Sequence, residues 1–195
     1  EVITFVNRRV EPYRGCHTLI RAIPLIQQLC PNAHLVIIGD LDGASYGRPP
    51  ASGRWCDIFL KEISGQYDPS RVHFTGTLGY QAYLSLMRIS KCHIYLTYPF
   101  VLSWSLMEAM AFGLPIVGSS TAPVKELITH GKTGLLVDFF DSSALADSVH
   151  EIISDPKFAD SLGSSAKQLI RSKYTIEQCV PLHLNLMNLV ASGSI

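Results

Sequence analysis

The sequence predicts a doubly wound α/β fold, with a parallel sheet of about six strands, helices on both faces and further helices at the carboxyl end. Three observations carry this expectation. Short apolar runs rich in β-branched residues recur along the chain, and longer segments of helical periodicity lie between them. The apolar runs are continuous rather than alternating, as in strands covered on both faces. No internal repeat or low-complexity tract breaks the rhythm.

Taken in order, residues 2–6 (VITFV) form the first strand. Residues 16–29 form a helix in which Leu19, Ile20, Ile23, Ile26 and Gln27 follow the 3.6-residue period. A second strand is expected at 34–38, helices at 55–67 and 80–88, and strands at 72–75 and 93–98. Helices at 105–112, 123–129 and 142–154 alternate with strands at 115–118 and 134–137. Two helices, at 156–172 and 175–190, close the chain. The whole of 1–195 reads as one domain, with residues 155–192 as its terminal helices. One segment interrupts the compact pattern. Residues 40–54 (DLDGASYGRPPASGR) form a fifteen-residue loop with three glycines and two prolines, placed after a strand and so at the carboxyl edge of the sheet. Loops of that length are often functional, and a mobile insertion that binds nothing fits equally well. Asp40 and Asp42 match D-x-D, a weak signal for a metal, and no metal site is expected there.

Composition narrows the classes. Hydrophobic residues make up 47% of the chain and charged ones 16%, against about 25% charged in an average domain, so a sizeable core is available and disorder is excluded. Lys plus Arg and Asp plus Glu are 16 each, so no global field recruits nucleic acid or a membrane surface. No apolar run approaches the roughly 18 residues of a bilayer span. Five cysteines without a C-x-x-C pair read as reduced, mostly buried thiols of a cytoplasmic protein, and seven scattered histidines read as structural. The chain opens on Glu1 and runs at once into a strand, so it is expected to start in mid-protein.

No G-x-G-x-x-G, no G-x-x-x-x-G-K-[ST] and no G-x-S-x-G occurs, which removes the markers of dinucleotide-binding domains, P-loop NTPases and α/β-hydrolases. Two segments carry positive signals. After the first strand, Arg8, Arg9 and Arg14 precede Gly15 at a helix entry. Guanidinium groups there suit a grip on phosphate oxygens, while the segment standing alone reads as a solvated basic turn. Residues 98–113 (YPFVLSWSLMEAMAFG) run from a strand into a helix with Ser103 or Ser105 as N-cap and Glu108 one turn inside. The first-turn amides form an anion site. Glu108 suits an acceptor for sugar hydroxyls, and equally a surface or ion-paired carboxylate. Phe100, Trp104 and Met107 read as core or lid residues.

Four ordered stretches carry a family resemblance. RVEPYRG at 9–15, RVHFTG at 71–76, LMEAMAFGLPIV at 106–117 and GKTGLLV at 131–137 together resemble the retaining glycosyltransferases of group 1. The resemblance covers nearly the whole chain. It implies the carboxyl-terminal, Rossmann-like donor lobe of a GT-B enzyme, whose amino-terminal domain binds an unknown acceptor and is absent here. It further implies metal-independent transfer from a nucleotide diphosphate sugar with retention. The nucleotide sugar is a substrate, so no cofactor is implied, and the isolated lobe is expected to be inactive. The full-length enzyme is expected to be cytoplasmic, with peripheral membrane association open.

By the same resemblance, Arg9 and Arg14 match the basic pair that stabilises the leaving diphosphate, Arg14 standing where Lys is usual. Glu108 matches the second Glu of E-x7-E, which bonds the ribose. Gly76, Thr77 and Leu78 match the stretch lining the base pocket, and Leu102, Ser103 and Trp104 the loop facing the diphosphate and donor sugar. The first Glu of E-x7-E, which contacts donor hydroxyls in the family, is replaced by Phe100. A donor with a different hydroxyl pattern, replacement contacts from Ser103 or Ser105, and a non-catalytic nucleotide-binding or interaction module all fit that change. A GT-B-type sugar-nucleotide epimerase is a further alternative. The family's terminal helix crosses back toward the missing domain, and Leu182, Leu184, Leu186, Leu189 and Val190 give it a broad apolar surface.

Overall fold

The computed structural model describes residues 1–193, so the last two residues of the expected 1–195 domain lie outside the described residues. Six parallel strands form one sheet in the order β3-β2-β1-β4-β5-β6. They are β1 (Val2–Arg9), β2 (His34–Asp40), β3 (Val72–Gly76), β4 (Ser90–Tyr95), β5 (Ile116–Ser119) and β6 (Leu135–Val137). Among the described residues eight α-helices connect and follow them: α1 (Cys16–Leu29), α2 (Trp55–Glu62), α3 (Tyr80–Ile89), α4 (Trp104–Phe112), α5 (Ala122–Lys125), α6 (Ser142–Ser154), α7 (Pro156–Lys173) and α8 (Ile176–Ala191). This is the Rossmann-like doubly wound arrangement that the alternating pattern predicts.

The continuous apolar runs are explained by the two cores. Ile3 and Phe5 of β1 face α1, α2 and α6, where Leu19, Ile23, Phe59 and Val149 are buried. Val2 and Val6 face the opposite layer of α3, α4 and α7, built on Met87, Leu106, Met110 and Ala166. Four of the cysteines (Cys16, Cys30, Cys56 and Cys92) are buried in this interior, which pushes their thiol pKa values up and keeps them protonated. Cys179 lies at the surface layer and is half-buried. α8 stands apart. None of its residues is buried, and Leu182, Leu184, Leu186, Leu189 and Val190 are all exposed.

Several boundaries differ from expectation: β1 runs on through Arg9, so Arg8 and Arg9 lie on the strand and not after it, and three further elements differ for local reasons. α2 ends at Glu62 rather than at residue 67, because Gly65, at φ 76°, turns the chain. The helix expected at 123–129 shortens to Ala122–Lys125. The Thr133 hydroxyl takes the Thr129 amide at 2.9 Å and donates to the Leu127 carbonyl at 3.1 Å, closing the next residues as a turn. β4 starts earlier and ends earlier than 93–98, freeing residues 96–103 to cross the carboxyl edge.

The entry into α1 fixes the geometry of that edge. Gly15 sits at the N-cap with φ 74°, and a Cβ there would lie 2.3 Å from the Leu96 Cβ. Gly15→Ala therefore combines about 1–2 kcal/mol of left-handed backbone strain with about 1–3 kcal/mol of overpacking. Urea unfolding should show a clearly lowered midpoint, and an unchanged midpoint would mean the α1 entry is not in contact with β4.

His93 on β4 is fully buried, with Nδ1 3.0 Å from the Thr4 hydroxyl, and burial pushes its pKa down to about 3. The unfolded chain takes up that proton near pH 6.5, whereas the folded chain stays neutral there. Stability is therefore full above about pH 6.5 and declines on acidification toward pH 3, by about 1.4 kcal/mol per pH unit. Burial lowers the His17 pKa as well and steepens the same decline. His93→Gln should flatten the dependence of the urea midpoint between pH 4 and 6.5. An unflattened slope assigns the acid lability elsewhere.

Candidate functional site

The strand order reverses direction at β1 and β4, whose crossovers leave on opposite sides and open a crevice at their carboxyl ends. A cavity of about 730 Å³ occupies that crevice. The end of β1 supplies Asn7, Arg8 and Arg9, the end of β2 supplies Gly39 and Asp40, and Thr77 and Leu78 follow β3. Tyr80 and Tyr83 come from α3, and Ser103, Trp104, Ser105 and Glu108 from the start of α4.

Glu108 is the centre of its inner wall. The Tyr83 hydroxyl donates to Glu108 Oε2 at 2.8 Å, and the Tyr80 hydroxyl lies 3.4 Å from Oε1. Among the described residues Glu108 makes no ion pair, so the two phenols, and no cation, orient it. Burial and the adjacent carboxylate push the Tyr83 phenol pKa far up, so it remains a proton donor throughout the working range. Tyr80 stacks on Tyr83 with centroids 6.0 Å apart and is 61% exposed, leaving an aromatic surface beside the carboxylate. The sequence reading missed both tyrosines. Their spacing of three on an expected helix was the available signal, since it places both rings on one side of α3.

The start of α4 is open. Ser103 holds the N-cap position, yet its hydroxyl pairs with the Ser105 hydroxyl at 2.7 Å and caps no amide. The Ser103 amide donates to the Tyr95 hydroxyl at 2.9 Å, which pins the loop onto β4. The first-turn amides of the helix thus border the cavity without a side-chain acceptor, a site suited to an anion.

The two arginines sit differently. Arg9 borders the cavity, paired with Asp40 at 3.4 Å and donating through Nη1 to the Asp42 carbonyl. Asp40 is thereby engaged by Arg9 and by the Asp42 amide at 3.1 Å, and no group of three or more acidic, histidine or cysteine residues converges among the described residues. Arg14 is 5% exposed and lies behind the cavity wall. Its Nη1 donates to the Thr97 hydroxyl at 2.8 Å and to the Val101 carbonyl at 3.3 Å. Thr77, Leu78, Ser103, Trp104, Glu108 and Arg9 therefore share one cavity. Gly76 and Leu102 adjoin lining residues in the chain without lining the cavity themselves, and Arg14 does not line it either.

Residues 1–169 match the family model of the glycosyl transferases group 1. The chain belongs to that family. Among curated relatives, it is 23% identical to trehalose synthase from Pyrococcus horikoshii over 96% of this chain and 43% of that protein. It is 26% identical to N-acetyl-alpha-D-glucosaminyl L-malate synthase from Bacillus anthracis, over 76% of this chain and 35% of that protein. The chain thus spans less than half the length of these relatives. In fold, this group 1 domain superposes on sucrose-phosphate synthase from Thermosynechococcus elongatus with a TM-score of 0.78 at 23% identity, covering 98% of this chain and 46% of that one. It superposes on the C-terminal domain of a group 1 family protein from Francisella tularensis with a TM-score of 0.77 at 20% identity, covering 90% and 86%. Anabaena HepE, solved with UDP-glucose, gives a TM-score of 0.77 at 23% identity over 98% of this chain and 48% of that one. The architecture is that of a GT-B glycosyltransferase carboxyl-terminal domain.

Removing one phenol tests how this glycosyltransferase domain holds Glu108. Tyr83→Phe leaves Oε2 without its short donor and should cost about 1–3 kcal/mol of unfolding free energy in urea. A loss near zero would mean that water already satisfies the carboxylate.

Proposed function

We propose that this chain is the donor-binding half of a glycosyltransferase that transfers a sugar from a nucleoside diphosphate sugar. The observation that carries the reading is Glu108, held by two tyrosine hydroxyls in a switch-point cavity beside the uncapped start of α4. A ribose suits such a fixed acceptor, and a diphosphate suits a helix start that no side chain caps. In this reading the ribose hydroxyls donate to Glu108, and the base rests along Gly76, Thr77 and Leu78 against the exposed Tyr80 ring. The diphosphate meets the α4 amides next to Ser103 and Trp104, with Leu102 packing the loop beneath them.

Arg9 and Arg14 complete the reading as the groups that stabilise charge on the departing diphosphate. Arg9 exchanges its exposed Asp40 partner for phosphate, an exchange of low cost because exposed ion pairs contribute little. Arg14 acts from behind the wall. Positive side chains take the place that a divalent ion holds in metal-dependent transferases, which fits the engagement of Asp40 by Arg9. Retention at the anomeric carbon follows from the resemblance to retaining group 1 enzymes. The acceptor belongs to an amino-terminal domain of the same polypeptide, so the lobe alone binds donor and does not turn it over.

Titration calorimetry with UDP, GDP and ADP tests the reading. One nucleotide should bind, and Glu108→Gln and Arg9→Ala should each weaken it by about 1.5–3 kcal/mol, the range for hydrogen bonds to charged groups. Glu108→Gln should keep the wild-type unfolding free energy within about 1 kcal/mol. Unchanged affinities in both variants would take these residues out of the site.

A further inference from the structure

Four consecutive residues, Val6, Asn7, Arg8 and Arg9, line the cavity, which strict alternation of sides along β1 would not give. The register accounts for it. Val6 pairs with Ile38 and Arg9 with Asp40, so three steps along β1 oppose two along β2. The extra residue makes a β-bulge, a device that re-aims side chains. Gly39 on β2 leaves room for it: its φ is 148°, and a Cβ there would lie 2.5 Å from the Asn7 carbonyl oxygen.

The charged residues that line the cavity are Arg8, Arg9, Asp40 and Glu108. Arg9 is paired with Asp40, and Glu108 is held by Tyr83 and Tyr80. Arg8 is exposed, and among the described residues it makes no ion pair, side-chain hydrogen bond or cation–π contact. It is thus the one lining charge without a partner there. The start of α4 is close by, since the Ser105 hydroxyl donates to the Val6 carbonyl at 3.5 Å, two residues before Arg8.

Arg14 is placed in the opposite way. Thr97 and the Val101 carbonyl hold its guanidinium on one side. The rings of Tyr46 and Phe100 cover the other, with Cζ 4.8 and 5.8 Å from their centroids. Tyr46 is itself fixed, because Glu11, fully buried, accepts the amides of Ser45, Tyr46 and Gly47 at 3.1, 3.2 and 3.5 Å. To reach a ligand, Arg14 would have to leave two hydrogen bonds and two ring faces. Arg9 has only an exposed pair to exchange. Arg8 has nothing to leave.

We propose that Arg8 grips the phosphate oxygens of the nucleotide directly, beside Arg9 and the α4 amides, and that Arg14 does not touch them. A guanidinium offers a planar fork of donors that meets phosphate oxygens in pairs. Arg8 is thereby a substrate-binding residue, and Gly39 is a positioning residue that acts through the bulge. The inference rests on the donor-binding reading. It departs from the family resemblance, which puts the second phosphate contact at Arg14 and assigns nothing to Arg8.

The test uses the full 195-residue chain with UDP, GDP and ADP by titration calorimetry, and with the corresponding nucleosides by saturation-transfer NMR, which reads weak binding. Arg8→Ala should weaken the accepted diphosphate roughly ten- to a hundred-fold, the loss of a hydrogen bond to a charged group, and leave the nucleoside unchanged. The urea midpoint should not move, since the side chain is exposed. Arg8→Lys, which keeps the charge and loses the fork, should fall between wild type and alanine. Equal diphosphate affinity in wild type and Arg8→Ala overturns the inference alone and makes Arg8 a solvated surface cation. An equal loss for nucleoside and diphosphate also overturns it, because the contact would then not be to phosphate. Failure of the wild-type chain to bind any of the three diphosphates overturns the donor-binding reading itself. Arg8→Gln supplies the same comparison should the alanine variant misfold.

Discussion

The buried carboxylate of Glu11 ties together the parts of the carboxyl edge that no secondary structure connects. Its backbone carbonyl accepts the amides of Arg14 at 3.1 Å and Cys16 at 3.4 Å, closing the turn from β1 into α1. Its side chain accepts three amides of the loop that follows β2. The three amides satisfy Oε2, whereas Oε1 is buried without a hydrogen-bond partner among the described residues. One residue thus sets both the position of Arg14 and the course of the loop laid over it. Deleting that carboxylate would release the loop, whereas the turn, held by the backbone carbonyl, would keep its bonds.

β4 supplies the complementary constraint. Its early end at Tyr95 lets Leu96 meet Gly15 and Thr97 receive Arg14, while the Tyr95 hydroxyl takes the Ser103 amide. Backbone and side chain along a few residues therefore locate the α1 entry, the guanidinium and the start of α4 relative to one another. The same strand carries His93, whose buried neutral ring joins β4 to Thr4 of β1. The crevice exists because β1 and β4 are neighbours, paired in parallel, whose crossovers part.

Most of the fold was legible in the sequence because burial on both faces writes continuous apolar runs, and α1 and α6 carry a clean 3.6-residue period. Boundaries slipped where a side chain or a glycine intervened, as at Thr133 and Gly65. Of the site, the stretches that run from strand to helix were readable, since local order places Arg9, Thr77 and Glu108 at one sheet edge. What joins them was not. The tyrosines on Glu108 and the amides on Glu11 are pairings between segments far apart in sequence, and no local pattern encodes them. Tyr46 was invisible for the same reason: a tyrosine in a Gly- and Pro-rich loop has no periodicity to read, and only the fold reveals the arginine beneath it.

The neutral composition acquires a physical meaning from these pairings. The chain carries equal numbers of acidic and basic residues, yet the edge that faces the cavity separates their roles. Arg9 is balanced by Asp40 in an exposed pair that an incoming anion can replace. Arg14 is covered by two aromatic faces, with hydroxyl and carbonyl acceptors behind it and no ion pair to a carboxylate among the described residues. Cation–π contact is weak compensation for a desolvated guanidinium. Glu11 and Glu108 are committed to amides and phenols and do not neutralise it. In the proposed reading, selectivity for an anionic donor therefore needs no excess of basic residues, because the positive charge available to a ligand is set by which cations lack a carboxylate partner.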